Sequence, residues 1–398
     1  MQQLLNNIKG DKVIWSIVLL LSLFGLLAVY SATGTLAYKM DKNASYFLVK
    51  QLSLIVLGFV IVYVVHRLDY RKFKKYSKIL FYGSLVLLLY TLIFGSKINE
   101  GSRWITIPII KITFQSSDFA KLALFIYLAR LLSVKQHEIK DFKKGFIPVL
   151  LPVLATCVLI ISENLSTALL LGATCSLLFY IGRVQVKHIL MLAGVGALIV
   201  LLFIGVAKAF DYGRGKTWLK RIEEFSGKGQ HGEKKEESFQ VQQAKIAIAN
   251  GGVVGRGPGN SQQRNFLPHP YSDFIYSIII EEYGLIGGGV IAFLYLLFLW
   301  RSILIFRRCP FEFGAFLSVG LSITLVFQAM LNMAVNVHLV PVTGLTLPMV
   351  SMGGSSILFT CVAFGIILSI SKYVDENEAK EIAKRTNSTS KKLDVATA

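Results

Sequence analysis

The sequence predicts an all-α, polytopic integral membrane protein of about ten transmembrane helices, with a large extracytoplasmic loop between the seventh and the eighth. Three observations predict it. Of the 398 residues, 54% are hydrophobic and only 16% are charged, against roughly 25% charged in an ordinary soluble domain. That excludes a water-soluble enzyme of this length, and equally an intrinsically disordered chain. The apolar residues gather into ten runs, near 13–33, 46–66, 76–95, 117–134, 145–162, 166–182, 188–207, 274–300, 313–335 and 354–373. Each is close to the roughly 20 residues that a helix needs to cross a bilayer, and helices satisfy the backbone within one segment as single strands cannot. Finally, the basic residues between the runs are one-sided.

With the N-terminus in the cytoplasm, the inward segments hold twenty-four Lys and Arg, and the short outward loops hold five. Cytoplasmic loops carry such an excess, so both termini are expected inside. The same asymmetry accounts for much of the net charge of +19, and no nucleic-acid partner is expected. The first run lacks a small-residue cleavage site and reads as a retained span rather than a signal peptide. Four scattered cysteines form no CxxC or Cys/His spacing, which points to neither a disulfide framework nor a zinc site. The expected organisation is a cytoplasmic N-terminus over 1–12, a membrane domain over 13–373 and a disordered cytoplasmic tail over 374–398.

The outer loop, residues 208–275, is hydrophilic and carries eleven Lys and Arg. Loops of this length are uncommon unless they have a function. Its second part, Phe239 to Asn250, places Val241, Ala244 and Ile248 at helical spacing, and Gly251-Gly252 then stops the helix. Such a helix is expected to lie on the membrane surface.

Ionisable groups in lipid are costly and point to function. Asp118 and Lys121 stand three residues apart in the fourth span, on one helical face; they form either a structural ion pair or part of a substrate site. Glu281 and Glu282 enter the eighth span with no cation beside them in sequence, so at least one needs a partner or a wet cavity. Asp273 sits where the long loop re-enters the membrane, in Leu267-Pro268-His269-Pro270-Tyr271-Ser272-Asp273-Phe274. It reads as an N-cap of the eighth span or as a general base for a sugar hydroxyl. Gly255-Arg256-Gly257-Pro258-Gly259 lacks the strand and spacing of a dinucleotide loop and reads as a hinge or turn, though Arg256 and nearby Arg264 could meet a pyrophosphate. Gln328, Asn332 and Asn336 line one face of the ninth span, as interhelical hydrogen bonders or as a cavity lining. The uncharged stretch from Pro341 through Ser351, Gly353, Gly354, Ser355 and Ser356 suggests a re-entrant loop buried in protein.

In this order the motifs resemble the SEDS family (shape, elongation, division and sporulation). Gly101-Ser102-Arg103-Trp104-Ile105 and Phe114-Gln115-Ser116-Ser117-Asp118-Phe119-Ala120-Lys121 resemble its GxRWI and QPSEFxK segments. Phe239-Gln240-Val241-Gln242-Gln243-Ala244 resembles its loop helix. Leu267-Pro268 through Asp273-Phe274-Ile275, with Glu281-Glu282 and Gly284, resembles LPxxxTDFIF…EExG. Gln328, Asn332 and Thr343-Gly344-Leu345-Thr346-Leu347-Pro348 through Ser355-Ser356 resemble its closing signature, in wording closer to the division branch, FtsW, than to RodA. Ser116 and Asp118 replace the family's Pro and Glu, Asn164 replaces an Asp, Tyr271 a His and Met352 a Tyr.

The resemblance implies an inverting peptidoglycan glycosyltransferase, polymerising lipid II at the outer face of the bacterial cytoplasmic membrane for septal synthesis. It implies Asp273 as the catalytic residue. Arg103, Gln115, Asp118, Lys121, Arg256, Arg264, Gln328, Asn332, Ser355 and Ser356 are the expected substrate-binding residues. A divalent cation, Mg²⁺ or Mn²⁺, is expected to share the diphosphate charge. A class B penicillin-binding protein and other division-complex membrane proteins are the expected partners. A lipid-linked precursor flippase and a non-catalytic division-site scaffold are the alternative readings.

Overall fold

The computed structural model describes residues 9–41, 43–98, 101–107, 112–161, 164–210, 221, 225 and 238–396. All ten predicted spans are helical: α1 (Lys12–Ala32), α3 (Ala44–Arg67) and α4 (Arg71–Phe94), then α5 (Ser116–Lys135), α6 (Ile147–Ile161), α7 (Leu165–Ile181) and α8 (Val186–Phe210), and last α10 (Ile275–Arg308), α11 (Glu312–Asn336) and α12 (Ser355–Ala396). A short α2 (Gly34–Lys39) follows α1, and α9 (Phe239–Gly251) lies in the large loop. Among the described residues, seven helices are long and apolar enough to cross a membrane by length and composition. α5 owes its lower hydropathy to Asp118, Lys121 and Arg130, while α7 and α8 present shorter apolar stretches.

Two departures from expectation stand out. A three-stranded antiparallel sheet, β1 (Ser96–Ile98), β2 (Gly101–Ile107) and β3 (Ile112–Gln115), forms the connection between α4 and α5. Backbone pairing of Trp104 with Gln115 and of Ile107 with Ile112 sets the β2–β3 register, and the sheet delivers the chain directly into α5. The C-terminal segment, expected to be disordered beyond 373, continues α12 as helix through Ala396. No Gly or Pro follows Gly365 to break it.

α11 is at the centre. It packs on α5, α7, α10 and α12, and its buried residues cover every face, as expected of a helix surrounded by protein. The hydroxyls of Ser318, Ser322 and Thr324 return to carbonyls three or four residues back in the same helix. These polar groups therefore enter the interior without an unmet hydrogen bond.

Polar contacts gather at two opposite ends. At the end where α1 begins, Asp11 caps the helix through Val13 and Ile14 N–H and pairs with Arg301 at 2.5 Å. Lys9 meets Glu376 at 3.1 Å, and Arg308 pairs with Glu378. The end where α1 finishes holds the candidate site.

Candidate active site

The segment from Val337 to Gly354 runs without regular helix between α11 and α12, and Leu345, Leu347 and Met349–Ser351 within it are buried. It enters the bundle beside α1: a Cβ on Gly25 would fall 2.7 Å from the Met349 carbonyl oxygen. Gly25 lies seven residues before the end of α1, so the loop descends roughly 10 Å below that end. Irregular backbone at this depth is tolerated only when its polar groups are met by protein, and here they are. Gln328 donates to Thr346 O at 2.9 Å, and Asn332 to Leu345 O at 2.6 Å. Ser351 Oγ accepts from Leu347 N at 2.8 Å, and the Tyr295 hydroxyl donates to Pro348 O. Met349 holds φ of 64°, a conformation that costs a non-glycine residue energy and persists where its surroundings over-determine it. The expected re-entrant loop is present, and the stripe Gln328, Asn332, Asn336 is what holds it.

The same stripe holds the chain around Asp273. Asn332 and Asn336 side chains donate to the Asp273 carbonyl at 3.0 and 2.9 Å. Asn336 Oδ1 in turn accepts from Ser277 N at 3.0 Å and Ser277 Oγ at 2.7 Å. Ser351 Oγ donates to Ser272 O at 2.7 Å, and Met352 N to Tyr271 O at 2.9 Å. Four backbone positions around the acid are thus tied to α11 and the re-entrant loop.

The carboxylate itself is left for other work. The N-cap position of α10 is Phe274, with no side-chain cap bond, so Asp273 does not serve as the cap that its position suggests. Its Oδ1 accepts from the Ser272 hydroxyl at 2.9 Å, and Oδ2 faces Gly344, where an added Cβ would lie 3.6 Å away. Gly344 has φ of 67°, so the loop turns here at a residue without a side chain. Burial raises the Asp273 carboxyl above the ordinary carboxylate range; the Ser272 hydrogen bond and the charges of His269 and Arg221 work against that rise.

Beneath the re-entrant loop, Lys121 and Asp118 form an ion pair at 2.8 Å, with side chains only 12% and 7% exposed. Lys121 also reaches Gln328 Oε1 at 3.4 Å, and Asp118 Oδ2 is buried without a hydrogen bond. Both line a cavity of about 40 Å³ with Gln328 and Ser356, walled by Phe125 and Phe359. That is room for a few waters, too little for a sugar. Ser355 accepts from Gln115 N at 3.2 Å, joining β3 to the start of α12. Gln115, Asp118, Lys121, Gln328, Asn332, Ser355 and Ser356 are thus linked around one loop. Arg103 is carried by β2, and its side chain is not among those described.

Arg264 and Arg256 belong elsewhere. Arg264 donates to Ser31 O at 3.2 Å and Ser31 Oγ at 3.0 Å, and its charge acts on Glu282. These bonds anchor the Arg264 guanidinium at the end of α1. Glu282 accepts from Ser31 Oγ and from Ser261 N at 3.4 Å. Glu281 accepts from Ser261 Oγ, from Gln262 N at 3.1 Å and from Gln263 N at 3.3 Å. The partners of the two glutamates therefore come from the loop and, for Glu282, also from Ser31 at the end of α1. Arg256 keeps an exposed side chain, while its N–H donates to Glu281 O at 3.0 Å.

Those bonds repair a break. α10 is interrupted at Gly284 (φ 69°, ψ −173°), and the freed groups are met by the Gly-rich stretch: Leu285 N bonds to Gly252 O at 2.9 Å, Ile286 N to Val253 O at 3.2 Å, and Gly257 N to Glu282 O at 2.9 Å. A Cβ on Gly284 would stand 2.1 Å from Val253 O, and one on Gly251 2.0 Å from Ile280 O. Gly251–Gly257 is a strap fixed to α10, not a free hinge. α9 forms as expected, but with Val241, Ala244, Ala247 and Gly251 buried against α10. This corrects the expectation of a surface-lying helix: the apolar face docks on protein. Sequence reasoning missed Ser31, Tyr295 and Ser277; a hydroxyl in an apolar run was their only signal.

The fold and site define a polytopic helical membrane protein with a partly buried acid held at one end of the bundle by a re-entrant loop. Residues 11–376 match the family model FTSW_RODA_SPOVE, described as cell cycle protein, and the chain belongs to that family, the SEDS family. It is 35% identical over 370 residues to stage V sporulation protein E of Bacillus subtilis, covering 91% of this chain and 97% of the relative. It is 36% identical over 369 residues to a Geobacter sulfurreducens protein named "Probable peptidoglycan glycosyltransferase FtsW", covering 91% and 95%. Among solved structures, RodA of Thermus thermophilus superposes with a TM-score of 0.65 at 22% identity, over 92% of this chain and 98% of that one. A chain from a peptidoglycan synthase complex that coordinates polymerization and crosslinking superposes at 0.70 and 24% identity, again over 92% and 98%. At these identities the solved structures establish a shared fold.

Proposed function

We propose that this chain is a peptidoglycan glycosyltransferase that extends glycan strands from lipid II at the outer face of the cytoplasmic membrane, with Asp273 as its base. One observation carries the reading: Asp273 is clamped by its backbone from both sides while its carboxylate caps no helix. Family membership and the name of the Geobacter sulfurreducens relative supply the reaction class. A β-1,4 glycan made from an α-linked donor inverts at C1, and a single displacement needs one base and a stabilised leaving group. It does not need the paired carboxylates of a retaining hydrolase. Asp273 accepts the proton of the acceptor 4-hydroxyl, and raised basicity from burial suits that role. The departing diphosphate needs cations; Lys121, Arg103, the exposed Arg256 and Arg264, which Ser31 anchors through one guanidinium nitrogen, are the candidates.

A divalent cation, Mg²⁺ or Mn²⁺, belongs to the proposal as a companion of the diphosphate. Among the described residues no group of three or more His, Cys, Asp or Glu converges, which does not fit a protein-built cage. A hard cation that keeps its waters and binds phosphates needs few protein carboxylates, so it would be held chiefly by the diphosphate. The similarity to FtsW and sporulation relatives supports a role in septal synthesis, with a class B penicillin-binding protein and other division-complex membrane proteins as partners; the synthase-complex chain of the same fold supports the assembly.

The experiment is a gel of glycan strands made from lipid II and a divalent metal by wild type and Asp273→Asn, each with its transpeptidase partner. The expected loss is roughly 10²–10⁴-fold; near-normal strand synthesis by the variant would falsify the assignment. A wild-type complex that makes no strands favours the scaffold, and transfer of labelled lipid II across vesicles by the chain alone favours the flippase.

A further inference from the structure

At the opposite end of the bundle from Asp273, a cavity of about 310 Å³ opens between the start of α1, the last two turns of α10 and α12 around Ser371–Asp375. That is the lower end of the range, roughly 300–1,000 Å³, in which small-molecule sites fall. Its charged groups are not all used internally. Asp11 is spent on Val13 N–H, Ile14 N–H and Arg301, and Arg308 is paired with Glu378. Lys12 and Asp375 remain, both exposed and both on the cavity wall. Among the described residues neither has an ion-pair partner within 4 Å. Val13, Leu304, Ile305 and Val374 supply an apolar floor.

One unpaired ammonium and one unpaired carboxylate facing a cavity at the ends of membrane-spanning helices specify a ligand with the opposite pair of charges. We propose that this cavity binds the head group of a phosphoethanolamine lipid, its phosphate on Lys12 and its primary ammonium on Asp375, with the acyl chains leaving over the apolar floor. Arg301 and Arg308 also line the cavity, with their charges already met by Asp11 and Glu378, so the phosphate is assigned to Lys12. Basic pockets between helices on the cytoplasmic side are a recurrent form of lipid head-group site. Asp375 sets the head-group class: a glycerol head group brings no cation to it, and a choline head group brings no N–H. The inference is independent of the reading of Asp273.

The test uses the full-length chain purified in detergent, with melting followed against short-chain phosphatidylethanolamine, phosphatidylcholine, phosphatidylglycerol and soluble phosphoethanolamine. A saturable upward shift is expected with phosphatidylethanolamine at concentrations where the other three give little. Lys12→Gln and Asp375→Asn should each weaken the apparent affinity roughly tenfold, the loss of one charge-assisted hydrogen bond, and leave lipid-free melting and glycan synthesis unchanged. An equal shift with phosphatidylglycerol or phosphatidylcholine would overturn the proposal, because Asp375 would then select nothing. Saturation by soluble phosphoethanolamine in the same range would assign the cavity to a soluble ester instead of a lipid. Undiminished binding by both variants would remove it altogether.

Discussion

Asp273 carries two consequences that can be separated by pH. A base must be ionised to work, and burial lifts this carboxyl above its ordinary value, so the acid limb of glycan synthesis should lie above the pH of about 4 expected for a free aspartate. Activity should fall with unit slope as pH drops through the raised value; a limb at or below pH 4 would count against Asp273 as the base. For stability the sign is opposite to that of a salt-bridged aspartate. The folded chain holds its proton to higher pH than the unfolded chain does, so stability is lost as pH rises from the unfolded to the folded pKa. Asp273→Asn should therefore melt no lower than wild type at pH 8, and a clearly lower melting point would mean that the carboxylate is structural. Asn336 makes a complementary case. Its amide donates to Asp273 O and Asn332 O, and its oxygen accepts from Ser277. Asn336→Ala strands these buried groups at about 1–3 kcal/mol each. With no substrate contact of its own, it should lower turnover at least roughly tenfold and leave the KM for lipid II near its original value; a change confined to KM would place Asn336 against the substrate.

Among the elements, the strap on α10 is the most exacting. Gly284 occupies a region of φ/ψ that only glycine enters readily, at a cost of order 1–3 kcal/mol to other residues, and its missing Cβ is the space that Val253 O fills. Gly284→Ala should detach Gly251–Gly257 from α10, lower the melting temperature and expose the 251–264 segment to protease, while Gly289→Ala, facing open space, should do neither. The strap also marks what could be read from the sequence. The spans were legible because hydropathy alone decides them, and α9 because Val241, Ala244 and Ile248 keep helical spacing. Where α9 docks was not legible, since an apolar stripe fits a lipid surface and a protein neighbour equally well. β1–β3 were hidden because strands of three, seven and four residues leave little periodicity. Glycines 251, 255 and 284 carried no period at all, and their meaning lies in close backbone contacts between the strap and α10, about 30 positions apart. At the site itself, the sequence pointed to Asp273 and the Gln328–Asn336 stripe, but a base and an N-cap look alike there, and only the structure puts Phe274 in the cap position.

The bundle as a whole sorts its polar contacts onto two ends, and the proposal that one of them faces the cytoplasm rests on the sequence. Asp11 and Ser31 lie 20 residues apart on α1, roughly 30 Å along a helix, which is the thickness of a hydrocarbon core. Arg301, Glu376 and Glu378 gather around the first, whereas Glu282, Arg264 and the loop held over Asp273 gather around the second. Symmetry of contacts gives no sidedness; the excess of Lys and Arg near Arg67–Lys78, Arg130–Lys144 and Arg301–Arg308 is the ground for proposing that the first end is cytoplasmic. An impermeant maleimide should therefore label Gln262→Cys, in an exposed part of the strap loop, on intact cells. It should reach Lys75→Cys, exposed on the first turns of α4, only after permeabilisation. Cys309 is partly exposed and at the same end as Lys75, so the background carries Cys309→Ser. Lipid II polymerisation on the outer surface requires this polarity, because Asp273 and Gln262 share one end of the bundle. Labelling in the reverse order would turn the acid toward the cytosol and leave no route by which it could meet an acceptor strand outside the membrane.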